Sequence, residues 1–340
     1  MKRKIILIIF LLLAAIAGFL SYKVFGPAVK NKDNAWFYIH TGDNVSTVKQ
    51  NLVKEGYISG DWFDMVSKYL KYKNAKAGRY KIKNGMSLYA LIKMLRSGDQ
   101  VKVNFVITKI RTKETLASRT GQQFEFDSTA MMSFLNNPDS LRQFGLDTNT
   151  VMAVAMPFTY SVNWNTTPGK VFRQFVIAWQ GFWNNDRKIK ADSLHLSPVE
   201  VSTLASIVEE ETLLKEDKYN IASTYLNRLR VGMPLQADPT VKFAMKDFGL
   251  KRVTGVHLKT ISPYNTYLNA GLPPGPICTP SVETIDAVLN APKTDYLYFV
   301  ASSNFDGSSV FTTNLTDHSK YARAYQQALT KRLDSLKKAK

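Results

Sequence analysis

Three glutamates in a row, Glu209, Glu210 and Glu211, close a helical stretch that begins at Ser197. A helix advances about 100° per residue, so the three point in different directions. Apolar residues recur at Val201, Leu204, Ala205 and Val208. From the centre of that stripe Glu211 lies roughly 60° away, Glu209 roughly 100° and Glu210 roughly 160°. Glu211 is therefore the one drawn toward the apolar face. There a carboxyl gains a raised pKa, as a general acid at neutral pH requires. The competing reading is a solvated glutamate paired with Lys215 one turn on. The three cannot serve as the two facing carboxylates of an ordinary glycosidase, because they diverge around one helix. No other Asp or Glu is placed as a second partner by sequence alone.

The elements that must hold Glu211 are legible around it. Ser197, Pro198 and Glu200 form a helix start with a capping box. Lys218 to Arg230 reads as a second helix with Ile221, Ala222, Tyr225 and Leu226 inward. Ser281 to Leu289 reads as another helix. Tyr296–Ala301 and Ser309–Thr313 read as a hairpin around Asp306-Gly307, and Asp317–Leu333 as a closing helix. Along this frame stand ASIVEEET at Ala205–Thr212, NRLRVGMPLQADPTV at Asn227–Val241 and YNTY at Tyr264–Tyr267. GLPPGPI at Gly271–Ile277 and TNL followed by His318 complete the series. Together, in this order, these motifs resemble the signature of the endolytic murein transglycosylase family, also called YceG-like. The resemblance covers most of the chain from about Leu196 onward. It implies that the glutamate before the Thr of the first motif, Glu211, is the catalytic acid.

The same motifs supply the candidate substrate-binding residues. Pro234 to Thr240 reads as a loop carrying Gln236, Asp238 and Thr240, polar groups suited to sugar hydroxyls. Asp238 reads equally well as the N-cap of a following helix, with Pro239 first in it. Tyr264, Asn265 and Tyr267 precede a rigid Pro/Gly-rich wall, although Tyr267 fits a packed interior equally well. Asn314 and His318 complete the set. Met152–Tyr160, MAVAMPFTY, lies where the family carries a Phe-Pro-Asp-Thr-Tyr turn, and Phe158 stands here in place of the Asp.

Composition narrows the partners. The chain has 340 residues, a net charge of +18 and an isoelectric point near 9.7. This favours anionic partners. No zinc finger, recognition helix or aromatic RNA-binding pattern appears, so nucleic acid is not among the expected partners. The single cysteine, Cys278, permits no intrachain disulfide and reads as a small buried residue. His40, His195, His257 and His318 show no metal-ligand spacing.

The expected architecture is α+β. Residues 1–4 form a basic cytoplasmic tail, and Ile5–Tyr22 an uncharged membrane span of about 27 Å at 1.5 Å per residue. Lys2, Arg3 and Lys4 place the N-terminus in the cytoplasm and the bulk of the chain outside the cytoplasmic (inner) membrane. A cleaved signal peptide, cut near Ala15-Ile16-Ala17, is the alternative. Residues 23–34 read as a linker. Residues 35–104 resemble the LysM-like module of the same family, associated with glycan-chain binding, although a spacer that only holds the rest off the membrane fits too. Residues 105–335, with a core at 196–335, form a larger α+β catalytic domain, and 336–340 a basic tail. Within it, 111–150 reads as weak helix and loops such as Asn136-Asn137-Pro138-Asp139.

By resemblance the expected activity is endolytic lytic transglycosylation of peptidoglycan glycan strands, with Glu211 as acid and then base and no cofactor. The strands, inner-membrane lipids and peptidoglycan synthases are the expected partners. Two rivals stand beside this: a hydrolytic muramidase, and a membrane-tethered glycan-binding or scaffold protein with a structural Glu211.

Overall fold

The computed structural model describes residues 2–30 and 35–338. Part of the expected linker (31–34) and the side chains of the basic tail (336–340) lie outside the described residues. The described chain forms two units. The first is Met1–Phe105 with Gly121–Asp127 and Ser161–Thr167; the second is Val106–Thr120, Ser128–Tyr160 and Pro168–Lys340.

The first unit starts with α1, Lys2–Phe25, which is long and apolar enough to cross a membrane and has no buried residue. It runs unbroken through Ala15-Ile16-Ala17. Then come β1 (Phe37–Ile39), α2 (Val45–Lys54), α3 (Phe63–Tyr69), β2 (Gly78–Tyr80) and α4 (Leu88–Ser97). β1 and β2 pair antiparallel, Phe37 opposite Tyr80. Asn44 caps α2 and Ser87 caps α4, each accepting a backbone N–H with its side chain. Gly98 ends α4 in the left-handed conformation that a Cβ disfavours. Leu88, Leu91, Ile92 and Leu95 bury the face that their spacing predicts, against Phe37, Phe63 and Tyr80.

The stretch expected as a linker is tied to this core. Val29 is buried in it, and the Ala28 and Val29 amides both donate to Met86 O at 3.1 and 3.0 Å. Two later segments also belong to the unit. Glu125 accepts from Thr41 N and Thr41 Oγ1, both at 2.6 Å, and Tyr38 packs on Trp164 at 4.8 Å.

β3 (Val103–Val106) carries the chain out of the first unit. Next are α5 (Lys113–Gln123), α6 (Ser128–Leu135) and α7 (Pro138–Arg142). Asn137, expected in a loop, instead caps α7 with Pro138 in its first turn. A 3₁₀ turn, Val151–Val154, leads to β4 (Thr159–Val162). Then follow α8 (Pro168–Phe182), α9 (Asn185–Ser193), α10 (Pro198–Glu211), α11 (Lys215–Arg230) and α12 (Asp238–Met245). The chain closes with α13 (Val282–Leu289), β5 (Tyr298–Ala301), β6 (Ser309–Thr312) and α14 (Leu315–Lys338). β5 and β6 pair antiparallel, Phe299 opposite Phe311.

α10 is the axis of the second unit and packs against α11, α12 and α13. Its capping box is formed: Ser197 Oγ accepts from Glu200 N, and Glu200 Oε2 accepts from Ser197 N at 2.7 Å. The sequence predicts one apolar stripe, yet every residue from Val201 to Val208 is buried. The polar ones are satisfied within the helix. Ser202, Thr203 and Ser206 donate back to the carbonyls of Pro198, Val199 and Thr203 at 2.7–2.9 Å. Ser206 Oγ also accepts from Ile277 N at 2.9 Å, which docks the Pro/Gly-rich segment on the helix. α8 buries Phe172 and Phe175, and Trp183 just beyond it is 1% exposed.

Removing the cap hydroxyl with Ser197→Ala is expected to cost about 1 kcal/mol. A urea titration should show a lower midpoint at unchanged slope.

Candidate active site

The three glutamates end α10, where unpaired carbonyls already make the helix terminus negative. Two of them are neutralised by their neighbours. Glu210 takes a bidentate pair from Arg111, Nε to Oε1 and Nη2 to Oε2 at 3.0 Å each, and Lys109 Nζ lies 2.9 Å from Oε1. Burial alone would raise its pKa, but the Arg111 and Lys109 bonds and charges outweigh that and hold it below the usual range. Glu209 Oε2 accepts from Ser281 Oγ at 2.8 Å and from Thr284 Oγ1, with Lys218 Nζ 3.5 Å away. Here too burial pushes upward and the hydrogen bonds and Lys218 win, so the carboxyl stays ionised. Glu210, placed by the helical wheel on the solvent side, is thus half-buried because α10 is covered on all sides.

Among the described residues no cation is in contact with Glu211. Its Oε1 accepts from Tyr225 Oη at 2.6 Å, and Tyr225 comes from the inward face of α11. The expected alternative partner, Lys215, makes no ion pair with it. Loss of solvent pushes the Glu211 carboxyl up to about 7. The Tyr225 bond opposes that shift and the nearby Asp238 charge assists it. Burial, then the Glu211 charge, drives the Tyr225 phenol far above its usual range, so it remains the donor.

Glu211 opens onto a cleft of about 460 Å³. Gln236, Asp238, Tyr267 and His318 of the sequence-derived set line it too. Tyr267 Oη donates to Asp238 Oδ1 at 2.7 Å. Ala237, not Asp238, is the cap of α12; Asp238 is its first residue and makes no capping bond. The helix therefore starts inside the stretch expected to be loop. Gln236 sits at φ +51°, a left-handed backbone costing about 1–2 kcal/mol outside glycine, and its N–H donates to Thr266 O at 3.1 Å. His318 stacks on Tyr298, ring centroids 5.4 Å apart, and its Nδ1 is buried without a partner among the described residues. Burial, then the Arg228 charge, lowers its pKa, which keeps the ring neutral.

The other four residues of the set lie elsewhere. Thr240 is fully buried and bonds Ala237 O at 2.7 Å and Thr266 Oγ1 at 2.8 Å, bracing the loop from behind. Asn265, also fully buried, donates to the carbonyls of Leu258 and Thr260 at 2.9 and 2.8 Å. Tyr264 packs on Phe243 at 4.7 Å, in a separate hollow beside Arg111. Asn314 is exposed and folds onto Asp317 through both side-chain ends.

With this geometry in view, comparison with known proteins becomes specific. A profile of the YceG-like family matches residues 37–324. The chain belongs to the YceG-like family. It is 32% identical over 308 residues to the endolytic murein transglycosylase of Bacillus subtilis, covering 84% of this chain and 83% of that protein. It is 28% identical to the endolytic murein transglycosylase of Streptococcus pneumoniae, covering 92% of this chain but only 63% of the longer relative. The crystal structure of a yceG-like protein from Listeria monocytogenes superposes with a TM-score of 0.56 at 27% identity, over 85% of this chain and 99% of the other.

Sequence reading of this YceG-like chain missed two features of the cleft. Arg228 lies inside the second motif, three residues after Tyr225. It is 6% exposed, lines the cleft, and donates to Leu297 O at 2.7 Å and Leu235 O at 2.6 Å. It has no carboxylate in contact among the described residues. The hairpin itself forms as expected, but the sequence did not mark Tyr298 to Ala301 with Ser309 as a wall of the cleft, because that depends on what the hairpin packs beside. Phe158, which the resemblance sets in the place of an Asp, is partly buried and packs against the core beside Phe182 at 6.3 Å.

The Glu211 shift fixes a pH signature of stability. The native carboxyl keeps its proton up to about pH 7, whereas an unfolded glutamate releases it near 4.5. Its stabilising contribution is therefore full below 4.5 and is lost as pH rises through 7. Glu211→Gln is expected to raise the melting midpoint at pH 8 by a few degrees, from about 2–3 kcal/mol, with the gap closing by pH 4.5. Calorimetry at both pH values checks this.

Proposed function

We propose that this protein is a membrane-anchored endolytic lytic transglycosylase of peptidoglycan, with Glu211 as its single acid–base group. The observation that carries the reading is a carboxyl held near neutrality in a cleft, by loss of solvent and one tyrosine bond, while its two neighbours are locked in ion pairs. The relatives named endolytic murein transglycosylase support the substrate class.

In this mechanism the protonated Glu211 gives its proton to the glycosidic oxygen between N-acetylmuramic acid and N-acetylglucosamine. The C1–O bond breaks and an oxocarbenium-like centre develops at C1. The Glu211 carboxylate then takes the proton from the muramic C6 hydroxyl as O6 bonds to C1. Glu211 is regenerated, a 1,6-anhydro end is left, and no water is consumed. The nucleophile belongs to the substrate, so proximity is supplied by ring geometry. Tyr225 holds the carboxyl in place through both steps. Gln236, Asp238, Tyr267 and His318 are the cleft groups proposed to contact sugar.

The span Ile5–Tyr22, with Lys2, Arg3 and Lys4 before it, fits an N-terminus in the cytoplasm and a catalytic domain outside the inner membrane. The β–α–α–β–α order of residues 35–104 fits a LysM-like, glycan-associated module, and residues 105–335 then form the catalytic domain. Cutting within strands at that surface fits a role in ending nascent-strand elongation beside the synthases. A hydrolytic muramidase is the second reading, because Asp238 shares the cleft with Glu211 and could orient a water.

Incubating the full chain in detergent with purified peptidoglycan separates these readings by the ends formed. Anhydro-muramic ends that vanish in Glu211→Gln are expected; reducing ends would identify a hydrolase. The rate should fall as pH rises through about 7, since the acid must be protonated. Tyr225→Phe removes a bond that lowers the Glu211 pKa, so its pH limb should move upward while the rate drops.

A further inference from the structure

Beside the end of α1, within the first unit, lies a hollow of about 360 Å³. Its walls include Tyr22, Lys23, Lys30, Trp62 and the turn Gly56–Gly60. Its level is set by contacts with the span. Phe19, within the apolar run, meets Trp62 edge-on at 6.2 Å, and Lys23 Nζ lies 5.4 Å from the Phe19 ring. An aromatic pair and a lysine reaching along the helix at this point are the features of a membrane–water boundary. The following chain is fixed to the module, with Lys30 N donating to Tyr57 O at 2.9 Å.

The chemistry of the hollow is that of an anion site. Among the described residues neither Lys23 nor Lys30 forms an ion pair, and Glu55 and Asp61, which flank the Gly56–Gly60 turn in sequence, are not in its walls. The backbone N–H groups of Ser59 and Gly60 find no acceptor among the described residues. Gly60 holds φ +87°, and a Cβ there would come within 2.8 Å of Val53 Cγ2, so the turn that presents these groups needs glycine.

We infer that this hollow binds the phosphodiester headgroup of an anionic phospholipid from the leaflet at the C-terminal end of α1. Lys23 and Lys30 supply the charge, the Ser59–Gly60 turn supplies neutral donors, and Tyr22 and Trp62 cover the glycerol and first methylenes. The site ties the orientation of the module to the membrane surface by a lipid as well as by the helix. The inference rests on the reading of α1 as a membrane span.

The test uses the full chain in neutral detergent, offered phosphatidylglycerol or phosphatidylcholine, with native mass spectrometry reading the retained lipid. Selective retention of phosphatidylglycerol is expected, falling about tenfold in Lys23→Gln/Lys30→Gln. The equal charge change Lys68→Gln/Lys73→Gln, outside the hollow, should leave it unchanged. Equal retention of both lipids, equal loss in the two double variants, or displacement by millimolar inorganic phosphate would each overturn the site. Failure of the parent chain to cosediment with vesicles would instead overturn the membrane span.

Discussion

Crowding three carboxylates at the negative end of one helix is unfavourable, and much of the second unit is arranged around relieving it. Each charge at the C-terminus of α10 lies beside the helix's own unpaired carbonyls, and each of the three carboxyls has its own partners. Arg111 and Lys109 take up Glu210, and Lys218 with the first turn of α13 takes up Glu209. Among the described residues Glu211 receives no countercharge in contact, and burial keeps its proton on. Loss of solvent, and not its two neighbours, makes Glu211 the weak acid of the three. The helix would otherwise carry repulsion that its fully buried body has no solvent to screen.

The elements that provide relief also build the cleft. α11 brings Tyr225 to Glu211, and its next turn brings Arg228 to the carbonyls of Leu235 and Leu297. Asn227 adds bonds to the carbonyls of Thr294 and Tyr296 at 2.8 and 3.0 Å, so the hairpin is held from the same helix. Behind the cleft, Thr240 and Thr266 join the start of α12 to the segment carrying Tyr267. These are buried polar groups bonded to one another, which fixes geometry more tightly than apolar contact alone.

Local signals were readable in the sequence and long-range ones were not. The capping box at Ser197 and the inward face of α11, with Ile221, Ala222 and Tyr225, follow from cap chemistry and spacing within one element. α5 was missed because Leu116, Ala117 and Thr120 are a thin buried face in a polar stretch. Asn137 looked like a loop residue because the same Asn-Pro pair that makes a turn also starts a helix. In the cleft, motif membership marked Thr240 and Asn265 as readily as Gln236 and Tyr267. A motif records that residues matter together, whereas burial decides which of them face a ligand and which hold the loop. The wheel argument misjudged Glu210 because it assumes a helix with one wet side.

The return of residues 121–127 and 161–167 to the first unit orders events in time. The module's own apolar core is complete once Leu95 has left the biosynthetic machinery. Thr41 and Tyr38, however, wait for Glu125 and Trp164, which follow after more than a further turn of the second unit has been made. As the chain is made from its N-terminus, the face of β1 that carries Tyr38 therefore stays uncovered for an interval, open to a holding chaperone or a neighbouring chain. No single cut would separate the two units afterwards, since the backbone passes between them repeatedly. Proteolytic shedding of the second unit from the membrane would need scission within the 25 to 37 region or inside the folded body.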